Sequence, residues 1–517
     1  MAESRRRGSA RQAKRAERSK TASGTVRPGM SGGQYLPLTP TDVQKINDAA
    51  LDVLERIGVG DGIPQFVAAA EAAGCNVTDG GRVLLPRGLV EDLIATAPSS
   101  ITLYGRDPRY DLELSGSRVH YGTAGAAISV LDSNTGAHRP STLVDLYDFA
   151  RLADQLENIH WFSRTVVATE LTDATELDIN TAYVSMAGTQ KHIGTSFMQA
   201  YNVDPAVEMF DIALGGEGRF KDRPFCQLHA TTMVPPLRFS IDTAYVMAEA
   251  VKHGMPINAI TAAQAGATAP ATLAGMLVQT TAETLGALAF VQLLSPGHPF
   301  IFSNWPFVSD LRTGAMSGGS AEAGILNAAS AQIANHYDLP SGVAAGMADS
   351  KVPDAQAGYE KALTTVLAGL GGANLVYESF GMLASLLACS NEMMVIDDEI
   401  LGAALRAVRG IEVNDETLSV QVIEDAVNGP GHFLGSEQTL AVMESEYIYP
   451  SIGDRLSPDD WKDAGSTDMW ERAKLRVREL LSSHYPEYID PERDAAIRER
   501  FNILIDPEDL TATSRRW

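Results

Sequence analysis

Gly342-Val343-Ala344-Ala345-Gly346-Met347-Ala348-Asp349-Ser350-Lys351-Val352-Pro353-Asp354 opens on a short β-prone run, crosses a polar loop and enters the Ala/Leu-rich stretch 355–367. It reads as one strand–loop–helix unit. The same texture recurs along the chain. Short β-rich segments begin near Val119, Trp161, His192, Phe225, Ile257, Pro299, Gly342 and Asn374, spaced 31 to 43 residues apart, and Ser320 leads into another such helical stretch, 321–335. Eight repeats of this kind predict an α/β fold of the (β/α)8 TIM-barrel type. A doubly wound sheet also alternates strands and helices, but eight units in one continuous block fit closure better, and no Gly-x-Gly-x-x-Gly follows an early strand.

Working outward from that block, four regions are expected: a disordered basic tail over 1–32, an N-terminal α+β cap over 33–115, the barrel over 116–410 and a helical C-terminal extension over 411–517. Order is expected from about Tyr35. A helix is predicted over 41–58, with Thr41 and Gln44 as its capping box, Val43, Ile46, Ala50, Val53, Leu54 and Ile57 as its apolar face, and Gly58 as its stop. A last charged helix is expected over 471–481.

Composition narrows the function classes. Apolar residues at 45% and charged residues at 21% suit a globular chain with a large core. No uncharged apolar run reaches the roughly 18 residues that span a bilayer, and no signal-peptide core opens the chain. Cys75, Cys226 and Cys389 lie too far apart for a disulfide framework or a local zinc cluster, so a reducing cytoplasm is expected. The first 30 residues hold nine Lys/Arg against Glu3 and Glu17, so the net charge of −24 understates the acidity of the rest. Such a body repels phosphate backbones, and nucleic acid is not an expected partner. The basic arm reads as a solubilising tail or as a dock for an acidic surface.

In a barrel of this kind the chemistry sits at the C-terminal ends of the strands. Reading those positions in turn gives Thr169-Glu170, Gln199-Ala200-Tyr201, His229 to Met233, Gln264, Asn304-Trp305-Pro306-Phe307 with Asp310 and Arg312, Met347 to Lys351, and Tyr377-Glu378-Ser379-Phe380. There is no His-x-His, His-Glu-x-x-His, Cys-x-x-Cys, phosphate loop or Gly-x-Ser-x-Gly, so no metal site is expected and acyl or phosphoryl transfer lacks its usual signature. What remains is a mouth of aromatic and small polar groups. Aromatic faces hold a quaternary ammonium through their negative quadrupoles, each contributing about 0.5–2 kcal/mol. The same aromatics serve equally as core packing. His229 either orients an anionic ligand or is satisfied by backbone. Glu378 either faces a cation or holds a loop. Arg312 either binds a carboxylate bidentately or is a surface arginine.

The segment 346–361, with Asp349-Ser350-Lys351-Val352-Pro353-Asp354 at its centre, resembles the trimethylamine:corrinoid methyltransferase family. So do Gly431-His432-Phe433-Leu434, Tyr449-Pro450-Ser451-Ile452-Gly453-Asp454-Arg455 and Trp461-Lys462-Asp463-Ala464-Gly465. The likeness runs over about 35–485 and is closest to the branch without pyrrolysine, which includes glycine betaine:corrinoid methyltransferases. It implies a barrel that presents a methylated amine to the Co(I) of a separate corrinoid protein. The cobalamin is then carried by that partner, and none is held tightly by this chain. The founding members carry pyrrolysine in the barrel, whereas this chain has ordinary residues only, which weighs against trimethylamine as its substrate.

A quaternary ammonium already carries the charge that lets a neutral amine depart, so the protein need only aim one N–CH3 bond and exclude water. The expected activity is methyl transfer from glycine betaine or a related betaine to the corrinoid protein. His229, Trp305, Tyr377 and Phe380 are expected to bind substrate, Arg312 or a backbone group to take the carboxylate, and Glu378 to serve as the catalytic or electrostatic carboxyl. A homo-oligomer is expected. The alternatives are a non-catalytic barrel that senses quaternary amines, or the same transfer from carnitine, proline betaine, γ-butyrobetaine or a methylamine.

Overall fold

The computed structural model describes residues 25–514 and 516–517. The basic tail, as far as residue 24, lies outside the described residues. The chain forms mixed α/β structure around a curled nine-stranded sheet. Its strands are β1 (Met30–Ser31), β2 (Arg118–Tyr121), β3 (Trp161–Ser163), β4 (His192–Thr195), β5 (Cys226–Thr231), β6 (Ile257–Thr261), β7 (Phe300–Asn304), β8 (Ser341–Ala344) and β9 (Leu375–Tyr377). They lie in the order β1-β2-β9-β8-β7-β6-β5-β4-β3. β1 pairs antiparallel with β2, and every other pairing in this sheet is parallel. Parallel strands covered on both faces require continuous apolar runs. Accordingly β6 and β7 are buried at every position.

The two ends of the parallel set meet. Gly122, just past β2, bridges in parallel to Trp161 of β3, and the His160 N–H donates to the Tyr121 carbonyl at 2.8 Å. A Cβ at Gly122 would stand 2.3 Å from the Trp161 ring, so only glycine allows this approach. Each parallel strand is followed by a helix. They are α2 (Leu143–Gln155), Ala174–Gly188, Val203–Leu214, Ile241–Lys252, α3 (Leu273–Leu294), Ala321–His336, α4 (Ala355–Leu370) and α5 (Asn391–Arg409). Helix α3 is long and apolar enough to cross a membrane by composition alone, but it is largely buried, packed on β6, β7 and the first helix, α1 (Pro40–Arg56).

Two expectations about the N-terminal region need correcting. The chain is already structured ahead of Tyr35, because Met30 and Ser31 pair with Val119 and Arg118, and the Thr25 hydroxyl donates to the Glu444 carbonyl at 2.9 Å. The capping box of α1 is Thr39 with Asp42, not Thr41 with Gln44. Pro40 has no N–H and a pre-set φ, which makes it the natural first helical residue and moves the cap two residues upstream, to Thr39.

Beyond α5 the chain returns over the sheet's outer helices. Helix α6 (Met469–Ser483) packs on α5 and α2. Arg151 of α2 is fully buried. It donates to Asp148 Oδ1 at 2.8 Å and to the carbonyls of Leu481 and His484 at 2.7 Å each, and its guanidinium lies 4.2 Å from the Tyr485 ring centroid. A further helix, Pro491–Arg500, was not anticipated; Ile497 is its one buried residue.

Candidate functional site

The strand ends bring four of the expected residues together. His229 lies within β5, Trp305 directly follows β7, Tyr377 ends β9 and Glu378 comes next. The Tyr377 ring is fully buried and stands 5.1 Å from Trp161, 5.2 Å from Trp305 and 5.3 Å from His229, between ring centroids. His229 and Trp305 are 5.4 Å apart, and Phe307 adds a further edge 6.4 Å from Trp305. The Tyr377 hydroxyl accepts from Gln227 Nε2 at 2.9 Å, and burial raises its pKa well above the usual phenol range.

Hydrogen bonding sets the state of His229. The Ser303 hydroxyl donates to Asn258 Oδ1, so the Asn258 amide NH2 faces His229 Nδ1, 3.2 Å away. Nδ1 is therefore the acceptor, and the remaining proton sits on Nε2. Burial, with the positive charge of Arg164 nearby, pushes His229 down to about 3. The imidazole is thus a neutral donor throughout the physiological range.

Glu378 is 1% exposed, and its Oε2 finds no partner among the described residues. Burial pushes its carboxyl up to about 8, against the pull of Lys361. Its φ of 62° is left-handed, an uncommon conformation for a side chain other than glycine. Lys361 is fully buried and salt-bridged to Asp397 Oδ2 at 3.0 Å; it also donates to the Gly346 carbonyl. Asp397 accepts from the Gly381 N–H at 2.7 Å and is pushed up to about 6 by burial.

These elements surround a cavity of about 410 Å³ lined by His229, Trp305, Phe307, Glu378, Met198 and Arg164, with small and apolar residues between them. Tyr377, expected to bind substrate, is fully buried and does not line it, but touches the lining rings of His229 and Trp305. Arg312 does not line it. That side chain is 88% exposed and held by Asp310 through its Nε at 3.0 Å and Nη2 at 2.8 Å, because the short 310–314 turn offers the guanidinium a local acid. Phe380 is fully buried and also absent from the lining.

Arg164 was missed by the sequence reading. β3 ends at Ser163, whereas the reading followed its unit on to Thr169-Glu170. Thr169 instead donates to the Ser141 carbonyl at 2.7 Å, and Glu170 accepts from the Leu143 N–H at 2.7 Å, at the start of α2. A signal was present, since Arg164 stands two residues past the apolar pair Trp161-Phe162, directly after Ser163. As for metals, Asp204, Glu249 and His253 come together on the outer surface, but His253 already pairs with Asp204 at 2.5 Å and Lys252 with Glu249 at 2.5 Å.

The chain matches the family model described as trimethylamine methyltransferase (MTTB) over residues 4–502. It is 32% identical over 477 residues to trimethylamine methyltransferase MttB of Desulfitobacterium hafniense, covering 92% of this chain and 94% of that one. It is 31% identical over 472 residues to a glycine betaine methyltransferase of the same species, covering 90% and 97%. Among solved structures, the monomethylamine methyltransferase MtmB of Methanosarcina barkeri aligns over 91% of this chain and 97% of its own, with 14% identity and a TM-score of 0.45. With its full-length family match and these near-complete relatives, the chain belongs to the trimethylamine methyltransferase (MTTB) family.

Proposed function

We propose that this protein moves a methyl group from a quaternary amine, glycine betaine or a related betaine, to the Co(I) of a cognate corrinoid protein. The observation that carries the reading is the cavity at the strand ends, walled by Trp305, Phe307 and the neutral His229, with Tyr377 behind them. We read the curled sheet as a (β/α)8 barrel spanning 116–410, with the cap before it and the helical extension after it. The cavity then opens where such barrels carry their chemistry.

Aromatic walls accept an onium without asking it for hydrogen bonds. The N–CH3 bond breaks with its electron pair left on nitrogen, and the methyl carbon is taken by the electron pair of the reduced cobalt acceptor. A neutral tertiary amine remains. Because positive charge leaves the nitrogen as methyl departs, a strong anion beside it would hold the ground state too tightly. Glu378, kept protonated by burial at neutral pH, avoids that trap and holds a proton for the basic lone pair of the product. Positioning of the N–CH3 bond carries the rate.

Exposed apolar side chains on loops that follow the strands support a protein partner over the mouth. Ile128, Met198, Tyr201, Val234, Leu311 and Leu387 all remain solvent-accessible there. A protein docked over these loops would remove that apolar surface from water. The helix Val420–Asn428 leaves Val420, Ile423 and Val427 exposed, which supports self-association elsewhere. Three buried, unpaired thiols accord with the cytoplasmic location of this reading.

The test mixes the protein with its Co(I) corrinoid partner and a panel of quaternary amines, following the change from Co(I) to methyl-Co(III) in the absorption spectrum. Turnover with at least one betaine is expected. No turnover with any quaternary amine overturns the reading.

A further inference from the structure

We infer that Arg164, together with the Nε2–H edge of His229, anchors the carboxylate of a zwitterionic substrate and so selects betaines over methylated amines that carry no acid group. The inference rests on the cavity being the methyl-donor site.

Arg164 stands one residue past the end of β3 and lines the cavity beside His229, Trp305 and Glu378. Its Nε is sealed from solvent and has no acceptor among the described residues. The acid nearest in influence is Asp178, which lowers the cost of the charge without bonding to it. Asp178 is already committed elsewhere, accepting from the Met198 N–H at 2.8 Å and from Asn202 Nδ2 at 2.8 Å. A half-buried guanidinium without an acid is costly unless an entering group supplies the acceptor. The planar fork of arginine fits a carboxylate with two parallel hydrogen bonds.

The charge inventory of the cavity points the same way. Arg164, His229 and Glu378 are its only ionisable lining residues among those described. His229 is neutral, with Nδ1 facing Asn258 and Nε2–H left as a donor. Glu378 is protonated at neutral pH, so the lining carries one net positive charge. That charge repels a bare onium such as choline. A net-neutral zwitterion escapes that repulsion: its carboxylate pairs with Arg164 and His229, while its onium lies against Trp305 and Phe307.

Calorimetric titration of the purified chain with glycine betaine and with choline, for wild type, Arg164→Met and Arg164→Lys, tests this. Methylation of the Co(I) partner is measured in parallel. Wild type is expected to prefer glycine betaine. Arg164→Met should lose at least about 30-fold in betaine affinity, the weight of a charge-assisted pair, while its choline affinity holds or rises. Arg164→Lys keeps the charge but not the fork and should fall between them; it also covers the case in which the Met variant does not fold. Betaine affinity within threefold of wild type in a folded Arg164→Met protein overturns the inference. So does a wild type that methylates cobalt from choline and not from betaine, though that outcome leaves transfer from a quaternary amine standing. Absence of binding and turnover with every quaternary amine sinks both.

Discussion

Replacing Glu378 by glutamine should make the protein more resistant to alkaline unfolding. In the folded chain the carboxyl is buried and titrates at about 8, whereas its ordinary value is 4.5. Between those two values the folded state keeps a proton that the unfolded state has lost. Stability held below pH 4.5 is therefore surrendered steadily as pH rises towards 8. At about 1.4 kcal/mol per pH unit, the displacement amounts to about 5 kcal/mol as an upper bound. Water entering the adjacent cavity lowers it, and about 2–4 kcal/mol is the working expectation. Glutamine reproduces the protonated carboxyl in size and polarity, sits at the same left-handed backbone position and cannot ionise. Other shifted groups, such as Asp397 and Glu283, occur in both proteins and largely cancel in the difference. Unfolding of both by heat or urea at pH 5, 7 and 8.5 provides the assay. The two midpoints should nearly coincide at pH 5 and separate progressively above it, with the variant higher. Parallel curves at all three pH values would refute the assignment of a protonated Glu378, and with it the proton held for the product amine.

Arg312→Ala should leave methyl transfer within about twofold of wild type, since that exposed side chain answers only to Asp310 and surface pairs are worth little; steady-state rates with glycine betaine decide it. Gly122→Ala drives a Cβ into the Trp161 ring and should cost about 1–3 kcal/mol or more, read as a lower melting temperature. Lys361→Met leaves Asp397 buried without its partner and should destabilise by about 3–5 kcal/mol, while Lys361→Met with Asp397→Asn recovers much of that loss in the same melting experiment.

The eight parallel strands begin within one residue of their expected starts. Trp161, His192 and Ile257 coincide, while Val119, Phe225, Pro299, Gly342 and Asn374 are each displaced by one. Runs of apolar and β-branched residues buried on both faces announce themselves without any periodicity to misread. Where the strands stop was harder, because mouth loops have no repeating pattern. That is why Arg164 was passed over in favour of Thr169 and Glu170, five and six residues further along the same unit. His229, Trp305 and Glu378 were legible because each falls on or beside a strand end. Arg312 was misplaced because residue type alone does not show that Asp310 satisfies the guanidinium locally. The helix Pro491–Arg500 escaped notice because its charged surface carries almost no apolar stripe; one buried isoleucine is too little to see.

The buried Arg151 binds the two ends of this molecule's history together. It sits in the first helix of the α/β repeat, yet the carbonyls that quench it belong to residues some 330 positions later. Asp148, its neighbour, is claimed in turn by Trp517 at 2.8 Å. Trimming the chain anywhere before Leu481 would leave a charge in the interior with Asp148 but without its two carbonyl acceptors, so the repeat and its tail are committed to each other. Fragments cut to isolate the catalytic half should be expected to misfold rather than simply to run slower.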